Sequence, residues 1–197
     1  MTVKERPIIF SAPMVRAILE GRKTQTRRLV KCPKKHNAKR FFAEIQDGGI
    51  ADCPRGAPGD DLWVKETWGI PSPCRCGTCE PLNVKHVSYR ADFTGEKFVD
   101  RWRPSIFMPR WASRITLEVV SVRVERLQEI SDEDVLAEGI ERPGHGYPVG
   151  LPLVPIHTFP VPRVAFTRLW DSLAKPGAEW ASNPWVWVID FKVGARE

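Results

Sequence analysis

No apolar run in the 197 residues approaches the roughly 20 needed to cross a bilayer, so a membrane span is excluded. The first ten residues lack the apolar stretch and small-residue cleavage site of a secretory signal, which makes a cytoplasmic protein the default expectation. There is no Walker loop, no dinucleotide fingerprint and no His-Glu-x-x-His pair, which removes P-loop, Rossmann-type and zinc-protease chemistry. The five cysteines do not form paired Cys-x-x-Cys knuckles, and no internal repeat is present. A chain of this length buries a sizeable core without disulfide staples.

Proline is the first excess: 18 residues, well above the usual ~5%. It implies many loops and few long helices. Tryptophan is the second, with 8 residues able to pack cores or stack on bases. Thirty Lys and Arg against 24 Asp and Glu give a charge of +6 and a pI near 9.2. That balance permits nucleic-acid or nucleotide binding without demanding it. The basic residues cluster at 22–28 and 31–40, where the alternative is a solvated surface. Hydrophobic residues at 42% and charged residues at 27% are ordinary for a globular chain.

An extended segment at residues 7–10 leads to a helix whose N-cap is Ser11, with Pro13 in its first turn. Met14, Val15, Ile18 and Leu19 form its apolar stripe, and Gly21 occupies the left-handed position that ends helices. Residues 31–58 read as a polar loop region with a short strand near 41–45, followed by a strand ending near Trp68. A second strand is expected over 86–91. Ile115, Leu117 and Val119 alternate, then Val120, Val122 and Val124 alternate in the opposite phase, which predicts one long strand with a bulge. Ser131 caps a short acidic helix over 132–137. Residues 142–162 read as a long loop, 164–173 as an amphipathic helix and 184–193 as a closing strand. Strands with interspersed short helices and no βαβ alternation predict an α+β domain or a small β-barrel with helical decorations.

The segment Gly21-Arg22-Lys23-Thr24-Gln25-Thr26-Arg27-Arg28 places one amine, two hydroxyls and several guanidinium groups in one turn. Lys23 and Thr26 are three apart, so a helical turn would put them on one face. A neutral Lys beside a hydroxyl is a catalytic pairing. Neighbouring Arg22, Arg27 and Arg28, and burial, would push the Lys23 pKa down. The other reading of a basic, Thr-rich turn is an anion-binding or solvated loop.

This segment resembles the Gly-x-Lys-Thr-x-Thr-x-Arg signature of ASCH domains in the PUA-like superfamily. Ala17-Ile18-Leu19-Glu20 resembles the helix end that precedes the signature, and Gly59-Asp60-Asp61-Leu62 resembles the turn into the next strand. Residues 131–139 resemble the short acidic helix. Trp102-Arg103-Pro104-Ser105-Ile106, Met108-Pro109-Arg110-Trp111 and Asn183-Pro184-Trp185-Val186-Trp187 are similar to phage and prophage members. The resemblance implies an α+β, PUA-like mixed β-barrel with flanking short helices. It implies one domain over 1–197, with inserts near 31–58, 70–85 and 142–162.

Small bacterial members of that family are amidohydrolases on N4-acetylcytidine and related N4-acylcytosines. The resemblance therefore implies a catalytic set of Lys23, Thr26 and Glu138, with Glu133 and Glu141 as rivals for the third place. Thr24, Arg28 and Trp68 are the expected substrate contacts, with Thr24 bonding the backbone of the turn. The expected partner is a nucleoside or base, with RNA or other nucleic acid as a further partner. No cofactor and no catalytic metal are expected. The rival readings are an RNA- or DNA-binding module, in which the basic turn grips phosphates and aromatics stack bases, and a ribonuclease using the same groups.

Cys74, Cys76 and Cys79 offer three thiols in a Pro/Gly loop, with Cys32, Cys53, His36 or His86 to complete a structural zinc site; the alternative is three reduced thiols. Tyr89, Trp185 and Trp187 are lesser candidates for stacking, and His145 and His157 for lining a pocket. Asp171, Asp190 and the acidic helix face read as surface charges.

Overall fold

A computed structural model of the chain describes residues 3–32, 37–46, 53–70, 87–93, 99, 101–140 and 161–194. Among these the architecture is α+β. The strands are β1 (Glu5–Ile9), β2 (Gln25–Leu29), β3 (Asp61–Lys65), β4 (Trp68–Gly69), β5 (Ser88–Tyr89), β6 (Thr116–Arg126) and β7 (Trp185–Val193). The helices are α1 (Ala12–Leu19), α2 (Ala38–Gln46), α3 (Asp132–Ala137) and α4 (Val161–Leu173). No described helix is long and apolar enough to cross a membrane.

The main sheet runs β1-β3-β6-β7-β2, parallel between β1 and β3 and antiparallel elsewhere. The β6–β7 register shifts between Val119 and Ser121, at the phase change read from the sequence. The extra residue bends β6, so its first part pairs β3 while the whole strand pairs β7. The ladder is not closed among the described residues: β1 and β2 are its edges. A side chain bridges them instead, because Arg28 on β2 donates to the Ile9 carbonyl on β1 at 2.7 Å.

Three clusters hold the fold. The largest joins Ile8, Val15, Ile18, Leu62, Val64, Leu117, Ile189 and Phe191 between α1 and the sheet. Burying side chains of this kind contributes about 1.5–3 kcal/mol each. The second packs Leu127, Ile130, Val135 and Phe166 against Val186 and Val188, fastening α3 and α4 to the sheet. The third, around Trp68, Met108 and Ala112, lies beside the β4–β5 pair.

Residues 38–46 correct the strand expected near 41–45. Phe41 and Ile45 are both buried and lie one helical turn apart. Asn37 Oδ1 accepts the backbone N–H groups of Lys39 and Arg40 and starts the helix. Residues 70–85 and 142–162 fall almost wholly outside the described residues, as do Cys74, Cys76, Cys79, His36, His86, Glu141, His145 and His157. The zinc reading therefore rests on undescribed positions. Cys32 and Cys53 are partly buried, reduced cysteines.

Candidate functional site

The α1 helix ends where Gly21 takes φ +73° and the Ala17 carbonyl receives the N–H groups of Arg22 and Lys23. The chain leaves extended. Lys23 forms an isolated bridge with Glu138, and β2 begins at Gln25. Lys23 and Thr26 thus lie on extended backbone, which corrects the helical turn expected for them. Alternation along β2 puts Gln25 and Arg27 on one side and Thr26 and Arg28 on the other, while Lys23, ahead of the strand, sends its Nζ to the Phe10 ring on which the Arg28 guanidinium also lies.

Glu138 arrives from the opposite direction. The Ser131 hydroxyl caps α3 by accepting the Asp134 N–H at 3.1 Å, and Glu138 ends the helix. Gly139 then adopts φ +87°, with an added Cβ meeting Ala17 Cβ at 2.9 Å and Lys23 Cβ at 3.0 Å. Only glycine combines that dihedral with so close an approach.

The result is a buried ion pair. Lys23 is 2% exposed and Glu138 is 6% exposed, and Nζ donates to Glu138 Oε2 at 2.6 Å. Two further bonds run from Nζ to the carbonyls of Gln25 at 2.8 Å and Glu138 at 2.9 Å. Glu138 Oε1 accepts the Arg27 backbone N–H at 2.6 Å, on the peptide that joins Thr26 to Arg27. The carboxylate therefore clamps Lys23 to the backbone that carries Thr26. Burial pushes the Lys23 ammonium below its ordinary pKa; Glu138 pulls it back, Arg28 and Arg27 press it down, and the net direction is down.

Thr26 is buried, and its hydroxyl has no hydrogen-bond partner among the described residues. Arg28 lies beside the pair: its guanidinium sits 5.2 Å from the Phe10 ring centre, over which Lys23 Nζ also sits at 5.6 Å. Arg28 Nε is buried without a partner among the described residues. Arg22 turns away to Glu20 and the Gly139 carbonyl.

Thr24 differs from expectation. It is exposed, and its bonds are through its backbone, from its N–H to the Ala137 carbonyl and from Phe191 N–H to its own carbonyl. The hydroxyl has no partner among the described residues, since the backbone ladder already satisfies the turn. Trp68 is 2% exposed and packs with Met108 and Ala112 in the third cluster, not with Lys23 or Glu138. Glu133 is exposed on α3.

A network behind the site went unread in the sequence. Arg27 is fully buried and donates to Asp134 at 2.6 Å and Glu125 at 3.3 Å. Gln25 Nε2 donates to Asp134 at 3.0 Å and Asp190 at 2.7 Å. Arg123 joins Asp134 and Asp190 at 3.1 and 2.7 Å, and Ser121 donates to Asp190. This corrects the surface reading of Asp190 and of one side of the acidic helix. Burial would raise the Asp134 pKa, but hydrogen bonds from Gln25 and Arg27 outweigh it and hold the carboxyl below its ordinary value. The spacing signal was present: Asp134 and Glu138 are four apart at one helix end, facing Gln25 and Arg27, two apart on a strand.

No family profile matches the chain, and no curated protein sequence matches it. A crystal structure of an ASCH domain from Lactobacillus crispatus JV V101 is similar over 96% of this chain and 79% of that one, at 13% identity and a TM-score of 0.38. A likeness at that score carries no weight for fold or function.

Proposed function

We propose that the protein is an amidohydrolase that removes acyl groups from the N4 amine of cytosine nucleosides or bases. The observation that carries the reading is the buried Lys23–Glu138 pair, held against the peptide after Thr26 while the Thr26 hydroxyl is unpartnered among the described residues. In the proposed reaction Thr26 Oγ1 attacks the acyl carbonyl carbon and Lys23, as the free amine, takes the hydroxyl proton. The carbon–N4 bond then breaks and that proton goes to the leaving amine. Water hydrolyses the acyl-threonine ester, releasing the acid and restoring the hydroxyl. The depressed Lys23 pKa favours the free amine, and Glu138, 2.6 Å away, would hold the Lys23 side chain in position. In this reading Arg28, whose Nε is buried without a partner among the described residues, would donate to a substrate oxygen once substrate enters.

The test is mass-spectrometric detection of cytidine and acetate from N4-acetylcytidine with purified protein. Turnover that falls at least about a thousandfold in Thr26→Ala supports the mechanism. Near-normal turnover in that variant would end the covalent step.

One observation favours a second reading. All three Lys23 ammonium donors are taken by protein oxygens. As an ammonium, Lys23 is a clamp between α3 and β2, and the domain would then bind a ligand without chemistry. Absence of hydrolysis across a panel of N4-acylated cytosines would select that reading.

A further inference from the structure

A second surface, built from other residues, is absorbed by neither reading. Residues 101–111 cross the β4–β5 pair, and Arg103 and Trp68 exchange backbone bonds at 2.7 and 3.2 Å. Gly69 permits the crossing, because a Cβ there would lie 2.5 Å from Val99 Cγ1 and 3.1 Å from the Arg101 carbonyl. Met108 and Ala112 are buried anchors for the next turn, and Met108 Sδ accepts the Glu66 N–H at 3.3 Å. The Ala112 carbonyl accepts the Tyr89 hydroxyl at 2.9 Å. The segment is therefore fastened to the domain, yet it exposes large apolar side chains. Phe107 is 71% exposed, and Ile106 and Trp111 are each 60% exposed.

The same region carries positive charge that its neighbours among the described residues do not balance. Over residues 87–114 there are six Lys and Arg against three Asp and Glu. Arg114 is neutralised by Glu66 and Asp92, and Arg110 by Glu5. Arg90, Arg101 and Arg103 are exposed and have no carboxylate partner among the described residues. Two of them lie on aromatic rings: Arg103 sits 4.9 Å from the Trp68 ring centre, and Arg90 sits 5.1 and 5.3 Å from those of Phe93 and Trp102. Trp111 meets the same Trp68 ring edge-on at 5.8 Å. Trp68 is thus the common floor on which one exposed aromatic and one exposed guanidinium stand.

We infer that this face binds single-stranded nucleic acid, with Phe107 and Trp111 stacking on bases and Arg101 and Arg103 meeting the backbone phosphates. Charge selects the occupant. An apolar protein partner would satisfy Phe107 and Trp111 but leave the arginines facing no anion, whereas a polyanion with exposed ring faces satisfies both. A single strand is favoured over a duplex because only unpaired bases present faces for stacking. The inference is independent of the Lys23–Glu138 chemistry and uses none of its residues.

Fluorescence anisotropy with a labelled oligothymidylate of about 12 nucleotides, within the span one such face covers, tests it. Phe107→Ala/Trp111→Ala is expected to weaken binding by about tenfold or more, because two stacked bases are released. Phe107→Ala alone, at a side chain that is mostly solvent-exposed, should weaken it severalfold and guards against misfolding of the double variant. Arg101→Gln/Arg103→Gln should make the slope of log affinity against log salt shallower by about 0.7 for each phosphate the protein no longer neutralises. Binding is read by anisotropy and N4-acetylcytidine turnover by mass spectrometry on the same wild-type protein, so failure of one test leaves the other standing. No binding at low salt (about 50 mM), equal binding of a duplex, or affinity unchanged in the Phe107 and Trp111 variants would overturn the inference. So would a concentration-dependent dimer abolished by Phe107→Ala, because the occupant would then be a second copy of the chain.

Discussion

Replacing Glu138 by Gln tests whether Lys23 is charged and how strongly the pair holds the fold. The carboxylate accepts two donors at 2.6 Å, Lys23 Nζ on one oxygen and the Arg27 N–H on the other. A carboxamide keeps one acceptor and turns an N–H group toward one of those donors. Lys23, nearly inaccessible to water, then loses its carboxylate partner while Arg27 and Arg28 remain. Removing one partner of a buried ion pair costs about 3–5 kcal/mol. The pH dependence has a definite sign. A Lys whose folded pKa is depressed leaves the unfolded chain holding more protons between that folded value and about 10.4, so stability rises with pH across this window. Losing Glu138 removes the interaction that raises the Lys23 pKa, so the window extends to lower pH. Within it the slope approaches about 1.4 kcal/mol per pH unit for one proton. Urea denaturation of both proteins from about pH 6 to about pH 10 measures this. Glu138→Gln should be several kcal/mol less stable near neutrality and recover as pH rises. Lys23→Met/Glu138→Leu should recover much of the loss, since apolar replacement of a buried pair is often near neutral. A Glu138→Gln protein within about 1 kcal/mol of wild type and with an unchanged pH slope would refute the electrostatic account, because the loss expected for a broken buried pair is several times larger.

Gly139→Ala should cost about 1–2 kcal/mol from its left-handed dihedral, with a further loss from the crowding against Ala17 and Lys23, read by chemical denaturation. Asp134→Asn should cost about 1.5–3 kcal/mol by loss of its charged hydrogen bonds to Arg27 and Arg123. The wild-type contribution of Asp134 is present above its ordinary pKa of about 3.9 and lost as pH falls through its lower folded value, so the variant should lose that part of the acid transition in pH-dependent denaturation. Thr24→Ala, at an exposed hydroxyl without a partner among the described residues, should change stability by less than about 0.5 kcal/mol and leave N4-acetylcytidine turnover intact in a parallel rate assay.

Local order was legible because it is written in neighbouring residues. The opposite phases around Val119 and Val120 located the β6 bulge, and Ser131 ahead of three acidic residues located α3. Gly21 marked the end of α1 for the same reason, since its left-handed dihedral follows from a helix that must stop. The short helix at 38–46 was missed where Phe41, Phe42 and Ile45 suit either period and the deciding cap, Asn37, is a single side chain. The aromatic signal near β4 was assigned to Trp68, but the exposed ring is Trp111, packed on it from a distant part of the chain.

The sequence by itself determined most of the element types, the helix at 38–46 excepted, the positions of several turns and the reactive side chains concentrated in the Lys23 segment, because propensity, caps and period act over a few residues. Tertiary structure decided which charges are buried together. Lys23 meets Glu138 across 115 residues, Gln25 meets Asp190 across 165, and Arg27 meets Asp134 across 107. The four-residue spacing of Asp134 and Glu138 is local, but their burial is not written in any neighbouring residue. Their burial follows from the β2–β7 register and from Gly139, which lets the end of α3 close onto the first residues after α1. The pKa shifts, and any chemistry at Thr26, depend on that desolvated meeting of distant segments.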